Sequence, residues 1–405
     1  MENGFQRYRD LLSVCNYRYL WIGQSVSELG NSISRIALIL LIYQMSNKPS
    51  AVALLMLIQT VPVILFGLFT GVLLERLNRR WIMLVMDLAR AILVALVPFC
   101  TQLYQIYFIS FWIAMGNIFF LPARDGIIPD LVDKPRLALA NSFIAMSMGF
   151  VMVVGPAIGG ALAGFWGFAI AFFIDAITFL ISAFYIWKIH YWAPAPTPEA
   201  ISLKSIFREI REGFRYVHQQ PDVELIAYLV FFTMIAIGFL FPLLPEFNTH
   251  FLGGTDFTFG LITAFYGLGG LLGGPVGERI SRHWPKGKVI YYLLIVDSLI
   301  FMVFSVVPWL AASMFLIALW GINGFAWWVV YLALMQEVIA ENFRGRLFTL
   351  MHQLENAGMV VAFALALFVS NYFPVWQIFL GAAGFYLIIV LLFRRHRGFP
   401  VLIKR

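Results

Sequence analysis

Long apolar runs, interrupted by glycine, proline and charged residues, follow one another along the whole chain. They lie near 17–43, 50–74, 81–99, 103–121, 138–164, 167–188, 223–248, 257–277, 289–307, 311–336, 347–370 and 373–393. A helix crosses the hydrocarbon core with about 20 apolar residues, so each run predicts one membrane span. The runs are too long and too little alternating for the strands of an outer-membrane barrel. The fourth closes at Leu121, ahead of Pro122 and Arg124.

Composition agrees with this pattern. Of 405 residues, 61% are hydrophobic and 12% charged, against roughly 25% charged in a soluble domain. A water-soluble globule is excluded. The net charge of +7 comes from basic residues that recur between apolar runs instead of forming one patch, which argues against a nucleic-acid partner. Cys15 and Cys100 fall at opposite ends of odd-numbered spans and are not expected to pair. No A-x-A-like cleavage site follows the first run, which is therefore read as a retained helix.

The basic residues also set orientation, because translocating a short basic loop is unfavourable. Arg7, Arg9 and Arg18 lie at the N-terminus, and alternate loops then carry Arg76, Arg79 and Arg80, followed by Arg124, Lys134 and Arg136. The stretch from Lys188 to Arg215, the loops with Arg279 to Lys288 and Arg344 to Arg346, and the tail from Arg394 continue the series. The opposite loops offer Lys48 alone. Both termini are expected in the cytoplasm, with the chain in a plasma or bacterial inner membrane.

Between the sixth and seventh spans, 192–198 is proline-rich and 201–217 carries apolar and basic residues at helical spacing. Ile206, Phe207, Ile210, Phe214 and Val217 form one face. That face fits a helix lying on the cytoplasmic leaflet, and a solvated linker helix is an equal alternative. The expected organisation is a six-helix half over 1–188, a cytoplasmic linker over 189–222, a second six-helix half over 223–394 and a basic tail over 395–405.

An internal repeat supports the division. Gly71, Glu75, Arg76, Arg79 and the following basic position recur as Gly274, Glu278, Arg279, Arg282 and His283, each series just after the second span of its half. Weaker echoes pair Asp87 with Asp297 in the third spans, and 128–137 with 338–347. Two related six-helix halves are implied.

The segment 71–80 resembles the loop signature G-x-L-x-D-R-x-G-R-R of the major facilitator superfamily, with Glu75 in place of Asp and Asn78 in place of Gly. Gly155-Pro156-Ala-Ile-Gly159-Gly160 resembles the G-P-x-x-G-G signature of antiporter-type exporters. Pro122-Ala-Arg124, Pro129 to Val132, Ala140 to Ser142, Asp175 and Arg344-Gly-Arg346 resemble the branch holding macrolide efflux proteins and the enterobactin exporter. The resemblance implies an all-α membrane protein of 12 helices in two pseudo-symmetric halves about a central cavity. Its implied function is secondary export of amphipathic or hydrophobic small molecules, of drug, macrolide or siderophore type, by proton antiport. A lipid or lysophospholipid flippase is the alternative on the same fold, and a transport-inactive sensor a weaker one. In the family's drug-proton antiporters an arginine usually sits within span four; here that span has none, and Arg124 stands only at its cytoplasmic end.

Several residues carry candidate chemistry. Gly71, Glu75, Arg76, Arg79 and Arg80 suit a cytoplasmic latch, since an acid and several arginines at a helix end can bond a neighbouring helix terminus; fixing topology is the alternative use of those arginines. Gly155, Gly159 and Gly160 permit close helix approach, with Pro156 adding a kink. Glycines 269, 270, 273, 274 and 277 mark a second close-packed span. Gln24, Glu28, Asn31 and Arg35 recur at spacings of four, three and four, which places them on one helical stripe facing the cavity.

Intramembrane polar groups are costly in hydrocarbon and expected to have a partner or a wet cavity. Glu28 suits either a proton-coupling carboxylate or a structural ion pair, and Arg35, two turns away, is too far for a direct local partner. Asp175 suits a coupling role or a packing role equally. Asp87 and Arg90, three apart, are expected to pair and to be structural. His352, Glu355 and Asn356 share a face near the cytoplasmic end of span eleven, with Glu355 the candidate gate or proton step. Phe119, Phe120, Phe231, Phe232, Phe239, Trp327 and Trp328 are candidate cavity aromatics. No G-x-x-x-x-G-K-S/T loop, H-E-x-x-H pair or His/Cys cluster occurs, so neither a cofactor, a metal nor enzymatic activity is expected. The expected partners are a small amphipathic substrate, a proton and membrane lipid.

Overall fold

The computed structural model describes residues 4–74, 77–191, 203–339 and 343–405. Among them the regular structure is helical, with no strand, and 12 segments are long and apolar enough to cross a membrane. Helices satisfy every internal backbone polar group within one segment, which hydrocarbon demands. The chain divides into two compact units, Met1–Met45 with Val61–Ala200, and Ser46–Thr60 with Ile201–Arg405.

The first unit contains α1 (Gly4–Leu12), α2 (Cys15–Ser46), the later part of α3 (Pro49–Leu74), α4 (Arg79–Leu96), α5 (Leu103–Leu131), α6 (Leu137–Trp166) and α7 (Phe168–Lys188). Helix α4 packs against both α5 and α7. Helix α2 approaches its neighbours through glycines. A methyl group on Gly30 would lie 2.0 Å from Thr178 Oγ1 of α7, one on Gly155 would lie 2.3 Å from Ser32 Oγ, and one on Gly159 would lie 2.7 Å from the Ile33 carbonyl. Gly160 and Pro156 are also buried. The sixth-helix glycines are thus spent on contact with α2.

Helix α5 corrects one expectation. It does not stop at Leu121 but runs through Pro122 and Pro129 to Leu131. A proline removes a single intrahelical donor, and neighbouring helices hold the chain in register around it. Arg124 therefore stands inside the fourth span's helix, not beyond its end. Cys15 and Cys100 are both free thiols.

The second unit contains α8 (Leu203–Gln219), α9 (Pro221–Gly238), α10 (Leu240–Glu246), α11 (Asp256–Ser281), α12 (Lys286–Val306), α13 (Leu310–Val338), α14 (Arg344–Val369), α15 (Val375–Leu392) and α16 (Phe399–Leu402). The seventh span, expected as one run, is broken: α9 ends at Gly238, α10 follows, and a π turn covers Phe247–Phe251. Pro242 cannot donate to the Gly238 carbonyl, nor Pro245 to that of Phe241, which accounts for the interruption. Helices α11 and α13 touch along a glycine stripe, where methyl groups on Gly269, Gly273 and Gly277 would lie 2.0, 2.4 and 2.6 Å from α13 backbone oxygens. Gly274 faces open space.

Helix α8 packs on α9 and α14. Val217 is buried and Tyr216 stacks on Phe343 at 4.8 Å, whereas Phe214 is half exposed. Part of its apolar face thus meets protein, which neither the leaflet nor the solvated-linker reading anticipated. The preceding proline-rich stretch, 192–202, lies outside the described residues.

Candidate functional site

The first unit gathers its intramembrane charges around α4. Arg90 donates to Asp87 on its own helix and to Asn117 Oδ1 of α5 at 2.6 Å. Its guanidinium lies over two aromatic faces, 4.1 Å from the Phe120 centroid and 4.5 Å from that of Phe179. Both members of the pair are buried. A buried pair is stable only when the remaining donors are engaged, and here an amide and two ring faces engage them. Gly116 leaves room for the arginine stem, which would lie 3.3 Å from a methyl group at that position. Glu28 and Asp175 both lie within electrostatic range of Arg90.

Asp175 of α7 accepts a hydrogen bond from Ser34 Oγ of α2 and a longer one of 3.4 Å from Thr178 Oγ1. It is fully buried. Gly30 sits directly against this group, its ideal methyl position 2.8 Å from Asp175 Oδ1. The close approach of α2 that Gly30 permits is what brings Ser34 to the carboxylate.

Glu28 meets Arg124, with Oε1 and Nη1 3.6 Å apart. Arg124 also binds its neighbour Asp125 at 2.9 Å. The Glu28 contact is longer than a hydrogen bond, so the carboxylate is paired without being locked. Of the rest of the stripe, Gln24 donates to Ser182 Oγ at 3.4 Å, Asn31 is half-buried, and Arg35 is exposed with no ion-pair partner among the described residues. Three of the four therefore do not converge on one point.

At the start of α4, Arg79 donates to the Gly126 carbonyl at 2.6 Å and to Asp130 Oδ2 at 3.0 Å. Arg80 donates to the Ile186 carbonyl at 3.2 Å and to that of Trp187. Two arginines thus join the N-terminus of α4 to the C-terminal portions of α5 and α7, where orphan carbonyls and the helix dipole favour cations. Tyr191 donates to the same Asp130 oxygen at 3.0 Å, and burial followed by that bond raises its phenol pKa. Gly71 lies in α3; Glu75 and Arg76 fall outside the described residues. In the repeated loop, Arg282 reaches back to Glu278 of the preceding helix turn, its one ion-pair partner among the described residues.

In the second unit, Glu355 lies 3.3 Å from His352 Nδ1, and Asn356 donates to the His352 carbonyl at 2.8 Å. They form one face of α14, as the spacing implied. Asp297 of α12 accepts from Asn323 Nδ2 of α13 at 2.9 Å, and the same amide donates to the Leu293 carbonyl at 2.8 Å. Asn117, Ser34, Thr178 and Asn323 were not singled out from sequence. Each is a short polar side chain on an apolar helix, and that rarity was the available signal.

The comparisons with known proteins agree with this architecture. Residues 20–362 match the Major Facilitator Superfamily model. Macrolide efflux protein A of Streptococcus pyogenes is 23% identical over 86% of this chain and 87% of its own length. The multidrug efflux pump Tap of Mycolicibacterium fortuitum is 24% identical over 83% and 86%, and a match at 27% identity to the MFS-type transporter YfiS of Bacillus subtilis spans about half of each chain. Among solved structures, a bacterial homologue of the human lysosomal transporter Spinster, inward-facing and unoccupied, superposes with a TM-score of 0.73 at 13% identity, covering 96% of this chain and 97% of that one.

Proposed function

Because the chain belongs to the major facilitator superfamily, we propose that it is a proton-coupled exporter of amphipathic or hydrophobic small molecules working by alternating access. It is a multi-pass membrane transporter and not an enzyme. The names of its efflux relatives support the direction and the kind of cargo. The concentration of lysine and arginine in alternate loops supports cytoplasmic termini.

The observation that carries the coupling is the loose Glu28–Arg124 pair. A proton arriving on Glu28 removes the charge that attracts Arg124, and Asp125 stands ready as the arginine's other partner. Loss of the proton restores the pair. The two states differ by one ion contact between α2 and α5, which is what a carrier alternating between two faces needs to sense protonation. Arg79 and Arg80 would act with them as the latch, releasing the ends of α5 and α7 as the cytoplasmic face opens.

Proteoliposomes test this with ethidium, a macrolide, a siderophore and a lysolipid, each with and without a pH gradient. Gradient-driven transport of an amphipathic molecule is expected, with Glu28→Gln reducing it about tenfold or more while the protein inserts normally. Full gradient-driven transport by Glu28→Gln would refute the coupling role. Net movement toward the cytoplasm would refute export, and transport confined to the lysolipid would establish a flippase.

A further inference from the structure

Asp297 opens onto a cavity that the mechanism above does not use. It lies entirely within the second unit, has a volume of about 340 Å³, and is lined by α9 to α13 and α15. Its walls are aromatic: Tyr266, Trp320, Trp327, Trp328 and Tyr386 stand around the carboxylate. The size falls within the range of about 300–1,000 Å³ usual for small-molecule sites.

Two features of these walls point to a ligand. Asp297 is buried, and the polar groups that reach it are neutral: the Asn323 amide donates at 2.9 Å, with Trp320 and Tyr386 beside it, and among the described residues no cation pairs with it. A buried carboxylate without a cation lacks the partner that such groups normally need. Trp327, also buried, has an indole N–H with no hydrogen-bond partner. It stacks face to face on Tyr331 at 5.2 Å, so its ring is held in place.

We infer that this cavity is a binding site for the positively charged nitrogen of an amphipathic organic cation. The Asp297 carboxylate supplies the counter-charge, the tryptophan and tyrosine faces supply cation–π attraction, and the Trp327 N–H donates to an acceptor oxygen or nitrogen on the same molecule. Anions are disfavoured by the carboxylate, and small inorganic cations by walls that offer few oxygens to replace a hydration shell. This rests on the reading of the chain as a transporter of amphipathic molecules, and it adds the charge of the cargo and the unit that recognises it.

The test uses the purified full-length protein in detergent and fluorescence anisotropy of two dyes, cationic ethidium and uncharged Nile red. Wild-type protein is expected to bind ethidium, and Asp297→Asn to weaken that binding about thirtyfold, the scale of a lost desolvated charge contact. Nile red binding is expected to change less than about twofold, since apolar wall area is retained. Asp297→Glu is expected to recover part of the ethidium affinity, and Trp327→Phe to keep most of it, because the ring face remains. Thermal unfolding of each variant shows whether it is folded, and Asp297→Glu carries the test if Asp297→Asn is not. The inference is overturned if wild-type protein does not bind ethidium, if folded Asp297→Asn binds it as wild type does, or if both dyes are lost equally. Each of those results leaves the direction and proton dependence measured in proteoliposomes untouched.

Discussion

Asp87 and Asp297 occupy the third spans of their respective units, both buried, yet their surroundings differ. Asp87 is answered by Arg90 one helical turn along, and that arginine is itself held by Asn117, Phe120 and Phe179. Asp297 has an asparagine from the following helix in a similar place, Asn323, but no arginine. One helical turn beyond Asp297 the chain has Ile300. The first unit neutralises its acid internally and fills the space around it with the arginine stem. The second leaves the acid among neutral donors, without a cation among the described residues, beside a cavity. The same position in an internal repeat can thus serve structure in one copy and recognition in the other, and the deciding residue is the one at i+3.

Removing that residue gives the largest expected effect. Arg90→Leu strands Asp87 in the interior, and thermal unfolding in detergent is expected to show a loss of about 3–5 kcal/mol. The double change Asp87→Leu with Arg90→Leu is expected to restore most of it, since removing both charges leaves none unpaired. Failure of the double variant to recover would mean that packing, not charge, makes the pair necessary.

Gly159→Ala is next. Its new methyl would meet the Ile33 carbonyl at 2.7 Å, and backbone cannot step aside as a side chain can. Destabilisation of about 1–3 kcal/mol is expected. Gly274→Ala, at a glycine facing open space, serves as the control and is expected to be neutral. Unequal effects in the opposite order would remove the close-packing explanation of both glycine series.

Arg79→Ala tests the loop comparison. Its side chain is about a quarter exposed, so the loss of the bonds to Gly126 and Asp130 is expected to cost only about 1 kcal/mol after solvent screening. Arg282→Ala, which breaks an exposed i, i+4 bond to Glu278, is expected to cost less than about 0.5 kcal/mol. Equal costs would show that the cross-helix geometry at Arg79 contributes nothing of its own.

Much of the fold was legible because hydrocarbon imposes a simple rule on sequence: spans must be apolar for their full length. Eleven of the runs match helices or, for the seventh, a helix series, with ends shifted by a few residues. The fourth helix outruns its apolar stretch because Pro122 coincides with the point where apolar character falls away, and both signals usually mean a helix end. That one boundary hid the continuation of the helix through Arg124, and with it the partner of Glu28. The Asp87–Arg90 pair was readable because i and i+3 lie on one helix face whatever the tertiary structure does. Ser34 with Asp175 and Asn323 with Asp297 were not, since these contacts depend on which helices pack together and at what depth. Gly30 shows the difficulty: its role as the point of close approach to Asp175 and Thr178 is set by α7, far away in sequence.

The contrast between the two buried acids can be measured side by side by thermal unfolding of Asp87→Asn and Asp297→Asn in the same detergent. Neutralising Asp87 leaves the Arg90 cation buried without its anion, and a loss of about 3 kcal/mol is expected. Neutralising Asp297 strands no charge and keeps an acceptor for Asn323, so stability is expected to stay within about 1 kcal/mol of wild type or to rise. Equal losses in the two variants, or a larger loss at Asp297, would contradict the account.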